Sequence, residues 1–231
     1  MAAELPCTRD IGFPCIVHYD VRVDVIGFDD GPFARDHRGD VLLVGVVCSD
    51  TRLDGVVSGR VRRDGTNSTQ TMIALVRASQ FGAHLGALML QGIAVGGFNV
   101  VDIHALSDAL GVGVLVVVRR PPDMDAVQRA LFSATPRRRP RVPGADAKWR
   151  LIERAGTIEE LGHSRRSLKK PVRSGLRAGA PKLWVQRAGL SIEEARRVVD
   201  ATTLHGNVPE PVRLAHLIAG GIVTGRSRGR P

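Results

Sequence analysis

The sequence predicts an α/β protein whose elements run β-β-β-α-β-α-β-α, followed by a basic, mainly helical C-terminal extension. Three observations predict it. First, the β-branched runs at 22–29, 41–48 and 53–64 are joined by connections too short for crossovers, so they pair as antiparallel neighbours. Second, segments with helical spacing then alternate with short apolar runs, as crossover units in a mixed sheet do. Third, charge divides along the chain: residues 1–118 hold 9 Lys/Arg against 13 Asp/Glu, and residues 119–231 hold 24 against 10.

The first strand, "RVDVIGFD", is apolar on both alternating sets, with Val23 and Val25 facing one way and Ile26 and Phe28 the other. A strand covered on both faces is central. "GPFARDHRGD" is a loop punctuated by Gly31, Pro32 and Gly39. "VLLVGVVC" and "LDGVVSGRVRRD" complete the meander. A helix over 67–80 opens on Thr and Ser capping candidates and places Met72, Leu75 and Val76 on one face. "ALMLQGI" (87–93) is a buried strand, 100–111 a helix ending at Gly111, 112–118 a buried strand, and 121–134 a helix begun by prolines. This order matches the ribonuclease-H-like fold; a Rossmann or flavodoxin-like order would alternate from the first strand.

Past this core, about 20–134, the extension of about 135–231 belongs to the same single domain. Arg-Pro-rich 135–148 reads as a linker, 148–156 as the start of a short helix, basic 163–182 as a surface loop, and 183–189 as an edge strand. Ser191 and Glu194 have capping-box spacing at the head of a helix over 191–206, and 209–225 is a Pro-started last helix. The 231 residues, 43% hydrophobic, suffice for one real core, built mostly from Val, Leu, Ile and Ala because aromatics make up only 4%. No apolar run approaches the roughly 18 residues of a membrane span, and no secretory signal pattern opens the chain. Cys7, Cys15 and Cys48 are an odd set without CxxC spacing, which suits free thiols in a reducing, cytoplasmic setting. The net charge of +10, concentrated in the second half, predicts a polyanion-binding surface beside an acidic site.

The fold predicted by this order implies where chemistry belongs. Ribonuclease-H-like nucleases gather carboxylates from the first strand, the start of the first helix and the end of the fourth strand around Mg2+ (or Mn2+), which takes hard oxygen ligands. Asp29 ends the first strand and is the leading ligand; Asp30 is a second catalytic candidate, or holds the Gly31–Pro32 turn, since neighbours on a strand point oppositely. The helix at 67–80 has no carboxylate, so Asp64, just before it, fills the second position as catalytic residue and ligand, or serves as an Asp-Gly turn residue. Gln91 stands at the third position, where an amide oxygen ligates without adding charge; Asp102 supplies the missing charge if it turns inward. Gly96 and Gly97 allow close backbone approach, so Gly96, Gly97, Phe98 and Asn99 are expected to meet a flipped or frayed nucleotide. Arg213 and His216, with Glu210, form either a phosphate-reading face or a polar network that locks the last helix onto the domain. Arg/Lys clusters at 137–141, 165–170 and 173–177 add to the polyanion argument.

"GFDDGPF", "DGTNSTQTM", "GIAVGGFNVVDIHAL" and "GNVPEPVRLAHLIAGGIVTGRSRGR", in this order, resemble the largely archaeal endonuclease-V-like family also called endonuclease dU, over about 20–231. The resemblance implies a fold related to endonuclease V and metal-dependent cleavage of DNA near a deaminated base, deoxyuridine being the family's suggested substrate. The Gly-x-Asp aspartate of endonuclease V falls on Asp29. Its later Asp-Gly falls on Gln91-Gly92, where this sequence departs from the pattern, and its aromatic strand-separating wedge is not found. The competing readings are a cleavage-impaired nucleic-acid-binding protein of the same fold and a structural partner-binding protein.

Overall fold

The computed structural model describes residues 23–132, 142–162, 182–204 and 206–227. Cys7, Cys15 and the basic clusters at 137–141, 165–170 and 173–177 lie outside the described residues.

The three predicted antiparallel strands are β1 (Asp24–Asp30), β2 (Asp40–Ser49) and β3 (Arg52–Arg62). Helix α1 (Ser68–Ala78) follows, then β4 (Ala87–Leu90), α2 (Ile103–Leu110), β7 (Gly113–Val118) and α3 (Met124–Phe132). This is the predicted β-β-β-α-β-α-β-α order. One small hairpin, β5 (Ala94–Val95) with β6 (Asn99–Val100), interrupts it between β4 and α2. Two-residue strands carry no periodicity, so the sequence pattern could not display them.

The C-terminal part contains α4 (Ala145–Arg154), β8 (Glu159–Gly162), β9 (Leu183–Ala188), α5 (Ile192–Thr202) and α6 (Glu210–Thr224). It is mainly helical, yet it is also built into the sheet. The seven strands run β3-β2-β1-β4-β7-β9-β8, with β1-β4 and β4-β7 parallel and the other pairs antiparallel. Strand β9 is therefore interior, not the edge strand expected; β8, too short and too acidic to be read as a strand, lies outside it.

The alternation of β1 sets the layers. Ile26 and Phe28 join the core beneath α1 and α2, with Met72, Val76, Ile103 and Leu106. Val25 faces the other way and packs with Val212 of α6 and Val198 of α5. Gly27 shares that second face, and its lack of a side chain admits α6: a Cβ there would stand 2.4 Å from the Pro211 carbonyl carbon and 2.5 Å from the Val212 nitrogen. On β2, Val44, Val46 and Cys48 pack against Ala215 and Ala219, so small residues again bring α6 close to the sheet. The thiol of Cys48 is pushed up to about 12 by burial and, next, by the Glu210 carboxylate, which leaves it a buried free thiol. No described helix is long and apolar enough to cross a membrane.

Gly27→Ala cannot be accommodated by side-chain rotation, because the two nearest atoms it meets are backbone. It is expected to lower stability by roughly 2 kcal/mol or more, read as a lower urea midpoint; an unchanged midpoint would mean that α6 does not lie this close.

Candidate active site

The two carboxylates that end the first strand open on one cleft. Asp29 and Asp30 lie at the C-terminal end of β1, where the strand stops and side chains from either face reach the same rim. A cleft of about 560 Å3 is lined by these two with Gly31, Pro32, Phe33, Gln91, His216, Gly220, Thr224, Arg226 and Ser227. Four sequence-predicted residues thus converge: Asp29, Asp30, Gln91 and His216.

Each carboxylate is held differently. Asp29 continues the Val25–Gly27 face towards α6, and its Oδ2 lies 2.8 Å from Nδ1 of His216. It is 8% exposed, and burial raises its pKa, while the hydrogen bond and charge of His216 oppose the rise. Asp30 continues the opposite face and accepts a hydrogen bond from the Gly96 amide. Its pKa is pushed up to about 6, first by burial and then by the Asp29 charge. Gln91, one residue beyond β4 on the parallel neighbour of β1, has an Oε1 that is buried without a hydrogen-bond partner.

The other predicted residues lie elsewhere, for physical reasons. Asp64 adopts a positive φ of 50°. Its Oδ1 accepts from the Phe98 amide at 2.8 Å, its own amide donates to Gly96 O at 2.9 Å, and Oδ2 lies 3.4 Å from Arg63 Nε. It is spent on holding the β5–β6 turn and is not part of the cleft lining. Gly96 and Gly97, at φ 56° and 85°, make that turn. The close approach they permit is to Asp64, since a Cβ on Gly97 would meet Oδ1 at 2.5 Å. Asn99 is fully buried: its Oδ1 accepts from the Ser68 amide at the head of α1, and its Nδ2 donates to Arg62 O and Asn67 Oδ1. Phe98 packs with the cluster of α3 and α4.

Asp102 caps α2 by accepting from the Ala105 amide at 3.0 Å and pairs with Arg154. Burial works against its charge, but the Ala105 and Arg154 bonds outweigh this and keep its carboxyl low. Arg213 pairs with buried Glu210 on its own helix, so the group expected around His216 divides: two residues lock the helix, and His216 alone turns to the cleft.

Sequence reasoning missed Lys148 of α4. It is 1% exposed and its Nζ donates to the Asp64 carbonyl; burial, partly offset by the Asp64 charge, lowers its pKa. Contacts therefore run from Lys148 through Asp64 and Gly96 to Asp30. Phe33 was also missed: it lines the cleft, and the Arg63 guanidinium carbon lies 5.3 Å from the centre of its ring. Both depend on contacts distant in sequence, for which the local pattern holds no signal.

The donors at the cleft are oxygens: two carboxylates and an unpartnered amide. That set is of the hard-oxygen kind Mg2+ or Mn2+ takes; among the described residues no three His, Cys, Asp or Glu side chains group to hold a metal ion. Magnesium usually keeps several waters and needs few protein ligands. Across Gln91 lies a second cavity of about 140 Å3, lined also by Gly92, Val117, Val118, Arg119, Leu183 and Val208.

A mixed sheet of this strand order is that of the ribonuclease-H-like fold. Solved structures agree with this: the chain superimposes on the endonuclease V of Ciona intestinalis with a TM-score of 0.51, at 15% identity, over 89% of this chain and 87% of that one. It superimposes on an Archaeoglobus fulgidus protein of unknown function with a TM-score of 0.72, at 29% identity, over 88% of this chain and all of that one. The UPF0215 protein of Deinococcus radiodurans is 47% identical over 205 residues, covering 89% of this chain and 91% of the relative. The endonuclease dU family model matches residues 21–223, and the chain belongs to that family. At the level of the family, this places it among nucleases.

The Asp30 carboxyl holds its proton more tightly in the folded protein than in the unfolded chain, where its value is near 3.8. The stability this confers is fully present below about pH 4 and is lost as pH rises through about 6. Without added metal, Asp30→Asn is expected to stabilise the protein at pH 7.5 by about 1–3 kcal/mol. The gain should shrink towards pH 4 in urea titrations; a variant less stable than wild type at pH 7.5 would contradict the burial argument.

Proposed function

We propose that this protein is a divalent-metal-dependent endonuclease that cleaves a phosphodiester near a deaminated, deoxyuridine-type base in DNA. The observation that carries the reading is the convergence of Asp29, Asp30 and the unpartnered Gln91 Oε1 on one cleft. Asp29, Asp30 and Gln91 would hold the ion. When bound, Mg2+ or Mn2+ supplies positive charge to the phosphoryl oxygens and lowers the pKa of a water. His216 orients the Asp29 carboxylate through Nδ1 and, from the cleft wall, can exchange a proton with a phosphate or leaving oxygen. Two buried like charges resist ionisation together, so the site favours a cation over an empty pair of carboxylates.

The smaller cavity supports the base preference. At about 140 Å3 it is close to the roughly 150 Å3 that accommodates benzene in an engineered protein cavity. One six-membered ring fits such a space, with Val117, Val118, Leu183 and Val208 as apolar walls and Gln91 and Arg119 as polar groups. The DNA held by the Ciona endonuclease V contains an inosine followed by a ribo-adenosine; a single-ring cavity favours a pyrimidine here.

The neutral Gln91 favours a second reading, a nucleic-acid-binding protein with impaired cleavage. A uracil-containing oligonucleotide with magnesium separates the two. Wild type is expected to cut it, Asp29→Ala to lose roughly a hundredfold or more, about 3 kcal/mol of barrier, and Gln91→Asp to cut at least as fast as wild type. Binding without cutting by wild type, together with cutting by Gln91→Asp, would establish the second reading. Equal cutting by wild type and Asp29→Ala would remove the assignment of the site.

A further inference from the structure

Strand β3 ends the seven-stranded sheet, and among the described residues no strand pairs with its outer side. Its 11 residues make it long for an edge strand. The central run, Gly55–Gly59, has neither charge nor proline, the usual guards of such an edge. Leu53 and Val56 are 46% and 45% exposed. They stand opposite Cys48 and Val46, so both lie on the α6 face of the sheet.

The hydrogen bonds around β3 show which backbone groups are available. The Arg63 amide donates to Gly39 O, towards β2. Main-chain groups alternate in direction along a strand, so those of Val57, Gly59 and Val61 also point to β2. Those of Val56, Ser58 and Arg60 point outwards. Arg62 points outwards too, but its amide donates to Asn67 Oδ1 at 3.0 Å and its carbonyl accepts from Asn99 Nδ2 at 2.9 Å. The usable edge therefore stops at Arg60.

Charge selects what this edge fits. Arg60 stands opposite Leu42 on the α6 face, and the Asp54 charge is felt by Cys48 on that same face. Val57 lies midway between Asp54 and Arg60 in sequence. An identical strand, laid antiparallel about a two-fold axis at Val57, therefore sets Asp54 against Arg60 of the copy on both sides of the axis. Opposite charges facing each other across a ladder are stabilising. The same register sets Val56 against Ser58 of the copy, with their outward amides and carbonyls matched; two such pairs make about four hydrogen bonds. Centring on Val56 would set Arg52 against Arg60, and centring on Ser58 would need the engaged groups of Arg62. On the opposite face, half-buried Val57 meets its own copy, flanked by Phe81 over Gly55 and Leu75 over Gly59.

We propose that two copies of this chain pair through β3 about a two-fold axis at Val57, joining their sheets edge to edge. The antiparallel arrangement sends the two clefts to opposite ends of the joined sheet, and none of the cleft-lining residues comes from β3. The pairing is independent of the nuclease reading.

The full chain is followed by sedimentation velocity up to about 100 µM, where wild type is expected to be mainly dimeric. Asp54→Arg sets like charges together and should raise the dimer dissociation constant roughly tenfold or more. Asp54→Arg combined with Arg60→Asp should restore it. Ser58→Pro removes an outward amide and leaves the ladder to β2 intact, so it should be monomeric with a thermal midpoint close to that of wild type. Val57→Cys should form a disulfide-linked dimer under mild oxidation, because a non-hydrogen-bonded pair brings its two Cα atoms to about 4.5 Å. Ser58→Cys, which faces Val56 of the copy, should link no more than wild type, whose own cysteines set the background.

A wild type that stays monomeric at about 100 µM would overturn the proposal. So would a dimer that Asp54→Arg and Ser58→Pro leave intact and that Val57→Cys does not link, since the copies would then meet elsewhere. Linkage through Ser58→Cys in preference to Val57→Cys would overturn the register. If Ser58→Pro fails to fold, the charge swap and the Val57→Cys link decide. Cutting of the uracil oligonucleotide enters none of these readouts, so failure of the nuclease reading leaves the result unmoved.

Discussion

The candidate site depends on how closely α6 lies against β1. Gly27 makes that approach possible, because the backbone of Pro211 and Val212 occupies the space where any other residue would place its Cβ. Ala215 and Ala219 continue the close packing along β2. One consequence is chemical: His216, one turn beyond this contact, comes within hydrogen-bond distance of Asp29 across 187 residues of sequence. A second is that the last turn of the same helix becomes a wall of the cleft. Packing of small residues thus sets the position of a titratable pair, and that pair borders the space in which a substrate would lie.

The two aspartates are a cost that the rest of the fold sustains. Burial raises the pKa of each, and Asp29 adds to the rise at Asp30. Neither is left without support. His216 holds Asp29 from the α6 layer, while the Gly96 amide holds Asp30 from the opposite layer. Gly96 is fixed in turn by Asp64, and Asp64 by the buried Lys148 of α4. The C-terminal half therefore supports both aspartates, through α6 on one side and α4 on the other. Strained electrostatics kept in place by surrounding structure is common where a group is positioned for function instead of stability.

Much of this was legible in the sequence where local pattern determines it. Asp29 was readable because strand order and a strand-end position specify it together. Gln91 was readable for the same reason, as the residue ending a short buried run. Asp64 and Asp102 show where such reasoning stops. Proximity to a helix start cannot distinguish a carboxylate facing a cleft from one binding an amide, and both bind amides. The paired glycines signalled close approach correctly in kind, but the approaching group is the protein's own Asp64. Glu210, Arg213 and His216 looked like one face, yet six residues span about 600° of helix rotation, so the first and last of them point apart. Lys148 lies 84 residues from the carbonyl it binds, and no local pattern encodes such a contact.

The central claim is that the oxygens of Asp29, Asp30 and Gln91 together hold a divalent cation. It is tested most directly by a crystal structure of the protein soaked in manganese, with the ion located by its anomalous scattering. The account predicts one principal peak in the cleft, in direct coordination with Asp29 and Asp30 and with Gln91 Oε1 turned towards it. A peak at Asp64 or Asp102 with none in the cleft would contradict it.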